Sequence, residues 1–119
     1  MDQIEFIEKL KKYGIEQNMA LTRELLFEPI NDKGDNLELI QFKKLFLSQS
    51  DENKGIIIAY LKQFMEDSMG ILLSLLDGAS SIGQVGGKFQ LYYDKDGERY
   101  HINNNDGDYL MTLFYDEDE

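Results

Sequence analysis

Residues 51–78 read DENKGIIIAYLKQFMEDSMGILLSLLDG, and their pattern predicts the longest helix of the chain. Apolar side chains recur at intervals of three and four residues, as they do on the side of an α-helix that packs against a core. They are Ile57, Leu61, Phe64, Met65, Leu72, Leu75 and Leu76, with Ser68 among them. Ser50 or Asp51 can begin the helix, and Gly78 can end it. We therefore expect a central core helix over about residues 51–77.

The end of this helix is apolar on nearly all sides, because Ile71, Leu72 and Leu73 follow one another. This pattern is typical of a helix that is covered from more than one direction, so further elements should pack on this end. Residues 56–76 are long enough to cross a bilayer, but charged side chains such as Lys62 lie in the middle, where insertion is costly. We interpret the segment as a buried helix and expect no membrane partner.

Two shorter helices are predicted at the start of the chain. The first covers residues 3–13, with Asp2 as its N-cap and Gly14 as a left-handed C-cap. The second covers residues 18–28, and Pro29 ends it because the residue before a proline is driven out of the α region.

A third short helix precedes the central one. Residues 31–34, Asn-Asp-Lys-Gly, have the composition of a loop. Asp35 and Glu38 then have the spacing of a capping box, and apolar side chains recur as far as Leu47. With the central helix, this makes about four N-terminal helices.

Residues 88–103 predict a β-hairpin, because apolar and polar side chains alternate on both sides of a turn at Asp94-Lys95-Asp96-Gly97. The turn composition favours a type I turn followed by a glycine with positive φ. A buried face could be shared by Phe89, Leu91, Tyr93, Tyr100 and Ile102. His101 would then point outward. A lone hairpin is marginally stable in water, so this one should lie against the central helix or pair with another strand.

Asp108 can cap a last short helix that carries Tyr109, Leu110, Leu113 and Phe114. The sequence therefore predicts the α+β class, with about four helices around residues 51–77, then a hairpin and a short helix. At 119 residues, without a repeat or a long linker, residues 1–119 are expected to form one domain.

The composition excludes several functions. Twenty-three acidic residues against twelve basic ones give a net charge of -11, which disfavours binding to nucleic acid phosphates and to anionic lipids. The chain has no cysteine and one histidine, so thiolate ligands and sites with two imidazoles are excluded. We therefore expect no metal, no cofactor and no catalytic residue. The N-terminus lacks the pattern of a secretion signal, which makes the cytoplasm the expected location.

Four local motifs have simpler interpretations than a functional site. Residues 94–97 and 103–108 place oxygen ligands around a glycine, but the register of a calcium loop fails in both, so they are interpreted as turns. Residues 83–87 contain three glycines but lack the ending of a phosphate loop and precede a strand, so they are interpreted as a connector. The lysines of residues 9–12 are interleaved with glutamates and are interpreted as a solvated helix face. His101 has no recognisable partners for catalysis.

One group of residues is a candidate for binding a protein. Tyrosines provide contact area at low entropic cost, and carboxylates steer a cationic partner toward them. The candidate residues are Tyr92, Asp94, Asp96, Tyr100, Asp106, Asp108 and Tyr115. The alternative is a purely structural role, in which most of these tyrosines are half-buried at the edge of the core.

Three functions stay open at this point. The first is a non-catalytic cytoplasmic binding protein that docks a cationic or neutral protein. In composition alone the chain resembles small acidic bacterial inhibitors of the immunity or antitoxin type, which cover a basic surface. The second is a structural or adaptor subunit whose apolar helix stripe completes a homo-oligomer. The third is a small enzyme that uses carboxylates, which would require a deep pocket joining two acids.

Overall fold

The computed structural model describes residues 1–78, 87–104 and 107–116. The helices are α1 (Gln3–Lys9), a π-helical segment (Leu10–Glu16), α2 (Gln17–Phe27), α3 (Leu37–Leu47), α4 (Asp51–Asp77) and α5 (Leu110–Tyr115). The strands are β1 (Tyr92–Lys95) and β2 (Glu98–His101), which form a two-stranded antiparallel hairpin. This order confirms the predicted α+β class, with a long central helix followed by a hairpin and a short helix.

Helix α4 has the predicted bounds because both of its ends are capped as the sequence indicates. The Ser50 hydroxyl accepts a hydrogen bond from the Asn53 amide (3.1 Å). Gly78 has a φ of 75°, in the left-handed region that glycine adopts without strain, and its amide donates to the Leu75 carbonyl oxygen. No helix in the described part of the chain combines the length and the apolar character that crossing a bilayer requires.

The prediction that the first helix ends at Gly14 is wrong. Helical backbone continues from α1 through the π-helical segment into α2, and the junctions are in the right-handed helical region. A Cβ atom on Gly14 would lie 3.3 Å from Leu10 Cδ1 and 3.7 Å from Met69 Cε on α4. The tighter of the two contacts is with Leu10 of the same helical run, and the distance to Met69 is an ordinary van der Waals contact. Gly14 lies within continuous helical backbone and does not act as a cap. Helix α2 ends at Phe27, one residue from the prediction, where Glu28 becomes extended before the proline.

The capping box predicted for α3 is also wrong. Asn36 is the N-cap, and its side-chain oxygen accepts from the Leu39 amide (2.8 Å). Asp35 instead accepts from the Asn31 amide and lies 3.4 Å from the Nζ of Lys43. That lysine is 1% exposed and also donates to the Pro29 carbonyl oxygen, so its charge is paired and hydrogen-bonded. These bonds hold the loop before α3 against the helix.

Helix α4 packs against two clusters of buried side chains. The first cluster contains Ile7, Ile15, Leu73, Ile102, Leu110 and Phe114. The second cluster contains Met19, Leu26, Phe46 and Ile58. Met65 of α4 packs against both. The C-terminal half of α4 therefore meets α1, the hairpin base and α5, whereas its N-terminal half meets α2 and α3.

The predicted core stripe of α4 is wrong at three positions. Phe64, Leu72 and Ser68 are exposed, and the buried residues of α4 are Ile58, Gly70 and Leu73. The reason is that α4 is apolar on two sides, and periodicity alone does not say which side faces the core. The exposed apolar side is called the outer face of α4 below. It is defined by Ile56, Tyr60, Phe64 and Ile71.

The hairpin turn differs from the predicted type. Lys95 pairs with Glu98, so the loop contains only Asp96 and Gly97, and both have positive φ values, 54° and 79°. Positive φ at both positions is the signature of the type I′ turn, whose twist matches that of two paired strands. A type I turn with a following bulge would have needed a longer loop.

The hairpin reaches the core through its base and through the half-buried Leu91 and Tyr93, which pack against the first cluster as predicted. Ile102 is buried and its amide donates to the Leu91 carbonyl oxygen (2.8 Å). The prediction that Phe89 and Tyr100 share the buried face is wrong, because they are 54% and 39% exposed. The strands project beyond the first cluster, and residues 94–100 near the turn are exposed.

Asn103 joins the hairpin base to α4. Its side-chain amide donates to the Leu76 and Phe89 carbonyl oxygens (2.6 and 2.7 Å), and its side-chain oxygen accepts from the Leu91 amide (2.8 Å). The residue is buried, and its side chain bonds three backbone groups at once.

Helix α5 is held at both ends by residues that are distant in sequence. Asp108 is not its cap as predicted, since Tyr109 occupies that position and makes no capping bond. The Asp77 carboxylate accepts from the Leu110 and Met111 amides (2.7 and 2.9 Å). At the other end, Lys11 Nζ donates to the carbonyl oxygens of residues 113 and 116. An anion at the first turn and a cation at the last both complement the helix dipole.

Candidate functional site

One face of the hairpin carries a stack of three side chains. The rings of Tyr92 and His101 lie with their centroids 4.7 Å apart, and the Arg99 guanidinium carbon lies 4.9 Å from the centroid of the Tyr92 ring. The arginine donates two hydrogen bonds to the Asp94 carboxylate (2.8 and 3.1 Å). Those bonds lower the pKa of Asp94 and raise that of Arg99. The pairing also neutralises the Asp94 charge locally.

The opposite face of the hairpin presents Tyr100. The strand register places it directly across from Tyr93, which is half-buried. The Tyr100 hydroxyl donates to the Glu98 carboxylate (2.7 Å), and this bond raises the pKa of the tyrosine. Because the side chains of Tyr92 and Tyr100 leave the ribbon on opposite faces, one flat partner surface cannot cover both rings.

An open cleft of about 660 Å3 lies between strand β2 and the start of α1, and we call it the hairpin cleft. Its lining residues are Asp2, Gln3, Ile4, Arg99, Tyr100, His101, Asn104 and Gly107. The Gln3 side-chain amide donates to the Asp108 carbonyl oxygen (3.0 Å), which ties the start of α1 to the segment before α5. Asp2 caps α1 through the Glu5 amide. The cleft therefore has ordered walls that combine acidic, amide and aromatic groups.

His101 does not point outward as predicted. It is half-buried between Tyr92 and the cleft, and within the described residues its buried Nε2 atom has no hydrogen-bond partner. Stacking on Tyr92 explains the difference, since the two residues are paired across the strands and share a face.

The structure brings most, but not all, of the predicted binding residues to this region. Tyr100 lines the cleft, while Tyr92 and Asp94 contact its lining residues. Asp96 lies at the hairpin turn, and Asp108 is joined to the cleft through its backbone. Asp106 lies outside the described residues. The contribution of residues 2–4 could not be foreseen, because no signal in the sequence pairs the start of the chain with the hairpin.

Tyr115 belongs to a different groove of about 290 Å3, lined by Lys11, Ile15, Glu16, Lys62, Glu66, Phe114, Tyr115 and Asp116. Its hydroxyl donates to the Glu66 carbonyl oxygen (3.4 Å). Partial burial raises the pKa of Tyr115, and the nearby carboxylates raise it further. Its ring lies over Gly70, where a Cβ atom would come within 2.9 Å of the tyrosine Cζ. Glycine is therefore required for this close approach.

The predicted solvated face of the lysines at positions 9–12 is confirmed for Lys9 and Lys12, which are exposed, but not for Lys11, which is half-buried. Lys11 is bonded to the end of α5 and lines the groove with Tyr115. Lys12 lies over the Tyr13 ring, 5.3 Å from its centroid, and Lys9 pairs with Glu5 at 3.9 Å. The cluster is therefore divided among three contacts and presents no continuous basic surface.

Among residues 1–78, 87–104 and 107–116, no group of three His, Cys, Asp or Glu side chains is placed to hold a metal ion. Of the predicted binding residues, Tyr100 lines the hairpin cleft itself, and Tyr92 and Asp94 contact residues that line it. Comparison of the chain with protein-family models, with curated proteins and with solved structures gives no match, so its function is argued from its own residues.

Proposed function

We propose that the chain is a non-catalytic cytoplasmic protein-binding domain, and that the hairpin cleft receives a cationic or neutral surface of its partner. The observation that carries this proposal is the convergence of Tyr100, His101 and Ile4 with the acidic Asp2 around one open cleft. Aromatic anchors beside a recess are typical of the residues that dominate binding energy at protein interfaces.

The charges near the cleft favour a basic partner. Asp94 is matched by Arg99, but Asp96 and Asp108 are exposed, and neither carboxylate has a hydrogen bond or ion pair within the described ranges. They add to a chain with a net charge of -11. Such a surface repels phosphates and accelerates association with cationic proteins. An inhibitor of a basic protein, of the immunity or antitoxin type, would use it in this way.

The proposal is tested by capturing partners with three forms of the chain as bait: the unmodified chain, Tyr100→Ala and Tyr13→Ala. Tyr13 is the matched control because it is 54% exposed and does not line the cleft. We expect a basic or neutral protein that the unmodified and Tyr13→Ala baits retain and the Tyr100→Ala bait loses. For the purified pair, Tyr100→Ala should weaken binding by about 30-fold, as expected for an interface hot spot.

Salt dependence provides a second readout of the same complex. The Debye length is about 8 Å at physiological ionic strength and is shorter at higher salt. A complex whose association is accelerated by charge should therefore form more slowly as salt is added. Capture of the same proteins by all three baits, or of strongly acidic proteins alone, would contradict the proposal.

A second candidate function is that of a subunit in an oligomer. It is supported by a separate observation, the exposed outer face of α4, and not by the hairpin cleft.

A further inference from the structure

The outer face of α4 is apolar, and its side chains are exposed in the described part of the chain. Its four defining side chains, Ile56, Tyr60, Phe64 and Ile71, expose 61, 65, 62 and 66% of their surface. They follow one another at intervals of four, four and seven residues, which places them on one side of an α-helix. The elements that pack most extensively on α4 are α5, α3 and the π-helical segment. The residues of α4 that are buried include Ile58 and Leu73, which lie on another side of the helix.

We propose that this face binds a second copy of the chain, with the two α4 helices antiparallel around a twofold axis between Gln63 and Phe64. In this register Ile56 lies opposite Ile71 of the second copy. Gln63 lies opposite Phe64 of the second copy. A twofold interface uses the same patch on both chains, so each pair occurs twice. Antiparallel helices can pack in this way at about 8–10 Å between axes.

The single charge on this face also fits the register. Along one side of α4 the residues are Asn53, Ile56, Tyr60, Gln63, Phe64, Asp67, Ile71 and Ser74. Asp67 is the charged member of this set, and in the antiparallel register it lies opposite the Tyr60 hydroxyl, which can donate a hydrogen bond to it. Two chains that each carry a charge of -11 repel one another, so a face with so little charge is where they can meet.

The symmetry of the spacing favours a second copy over an unrelated partner. Each isoleucine at the end of the face lies opposite another isoleucine, and the carboxylate is matched with a hydroxyl and not with a second carboxylate. A parallel dimer in register would instead place the two Asp67 side chains side by side, which destabilises a helix pair.

The area that the outer face of α4 can bury sets the expected affinity of the dimer. The four side chains contribute roughly 500 Å2 per copy, if a fully exposed side chain counts for about 200 Å2. The interface would then bury about 1,000 Å2 in total, the lower limit for a specific interface. We therefore expect a reversible dimer with a dissociation constant in the micromolar range.

Sedimentation velocity of the purified full chain tests the proposal. The mass should rise from 13.8 kDa toward twice that value between about 1 μM and about 1 mM protein. Phe64→Asp should raise the dissociation constant at least about 100-fold, because the change acts on both copies. Leu45→Asp is the matched control, since Leu45 is a 57% exposed leucine on α3, and it should leave the constant unchanged.

Circular dichroism establishes that each variant is folded, and Phe64→Ala replaces Phe64→Asp if the latter is not. A monomer mass for the unmodified chain up to about 1 mM would overturn the proposal. Equal dissociation by the Phe64 and Leu45 variants would also overturn it. Added salt should strengthen the dimer by screening the repulsion between two acidic chains.

Cross-linking tests the register, because the chain has no cysteine of its own. Gln63→Cys, next to the proposed axis, should be joined into a covalent dimer by a short bis-maleimide. Ile56→Cys should not be joined, because the two copies of this position would be separated by about 22 Å along the helices. The reverse result, efficient joining through position 56 alone, would indicate a parallel pair and refute the antiparallel one.

Discussion

Asn103 should be essential for stability, because one buried amide side chain satisfies three backbone groups. Asn103→Ala leaves the carbonyl oxygens of Leu76 and Phe89 and the amide of Leu91 without this partner. A net loss of about 1 kcal/mol for each bond, plus the cost of groups left buried and unpaired, gives a destabilisation of about 3–5 kcal/mol. Urea denaturation followed by circular dichroism measures this change.

Asn103→Asp tests the assignment of donor and acceptor. An ionised carboxylate would face the two carbonyl oxygens that now accept from the amide, so the folded state should raise the pKa of this carboxyl above its ordinary value of about 3.9. The folded state then binds more protons than the unfolded state above that pH, and the slope of stability with pH is negative. The variant should therefore lose stability as the pH rises from about 4 toward 7.

The stability of Asn103→Ala relative to the unmodified chain should change little over the same pH interval, because this variant adds no titrating group. A deficit of Asn103→Asp that is equal at pH 4 and pH 7, or a loss below about 1 kcal/mol for Asn103→Ala, would refute the role assigned to the amide.

Further substitutions probe the other contacts. Asp77→Ala should destabilise the fold by about 2–3 kcal/mol, because two amides of α5 lose a charged acceptor, and Asp77→Asn should cost about half as much in denaturant titrations. Gly70→Ala should destabilise the chain when Tyr115 is present, because the added methyl group would meet the tyrosine ring. In a Tyr115→Ala background the same substitution should add up to about 1 kcal/mol of helix stability, and a double-mutant cycle measures the difference. Because the fold raises the pKa of Tyr115, the stability of the chain should fall as the pH rises beyond about 10. Tyr115→Phe should remove the share of this loss of stability that comes from ionisation of the tyrosine, as measured by thermal melts at alkaline pH. By NMR titration the Asp94 carboxyl should have a pKa below 3.8 that Arg99→Gln returns toward that value, and an unchanged titration would contradict their pairing.

Local signals were sufficient for much of the fold. The caps of α4, the stop before Pro29 and the alternation of the hairpin strands each depend on residues that are close in sequence. Gly14 shows the limit of such reasoning, because the same residue type serves either to end a helix or to admit a neighbouring side chain. The helical backbone that continues from Leu10 to Glu16 shows that Gly14 does not end a helix here.

The candidate site was less predictable than the fold. The sequence predicts the tyrosines and carboxylates of the hairpin as binding residues, but the cleft is also lined by N-terminal residues, which no local pattern connects to β2. Asp77 and Lys11 were missed for the same reason, since each bonds to a segment far away along the chain. The exposed side of α4 could not be distinguished from its core side, because both sides are apolar.

The way α5 is held has a consequence for the order in which the chain assembles. A six-residue helix is too short to nucleate in water, so α5 should form only on a surface that already presents Asp77 and Lys11. During synthesis these two residues leave the ribosome before α5 does, and until α5 arrives Leu73, Ile7 and Ile15 lack the covering that Leu110 and Phe114 later provide. The nascent chain should therefore be most prone to aggregation, and most dependent on a chaperone, in the interval just before these last contacts close.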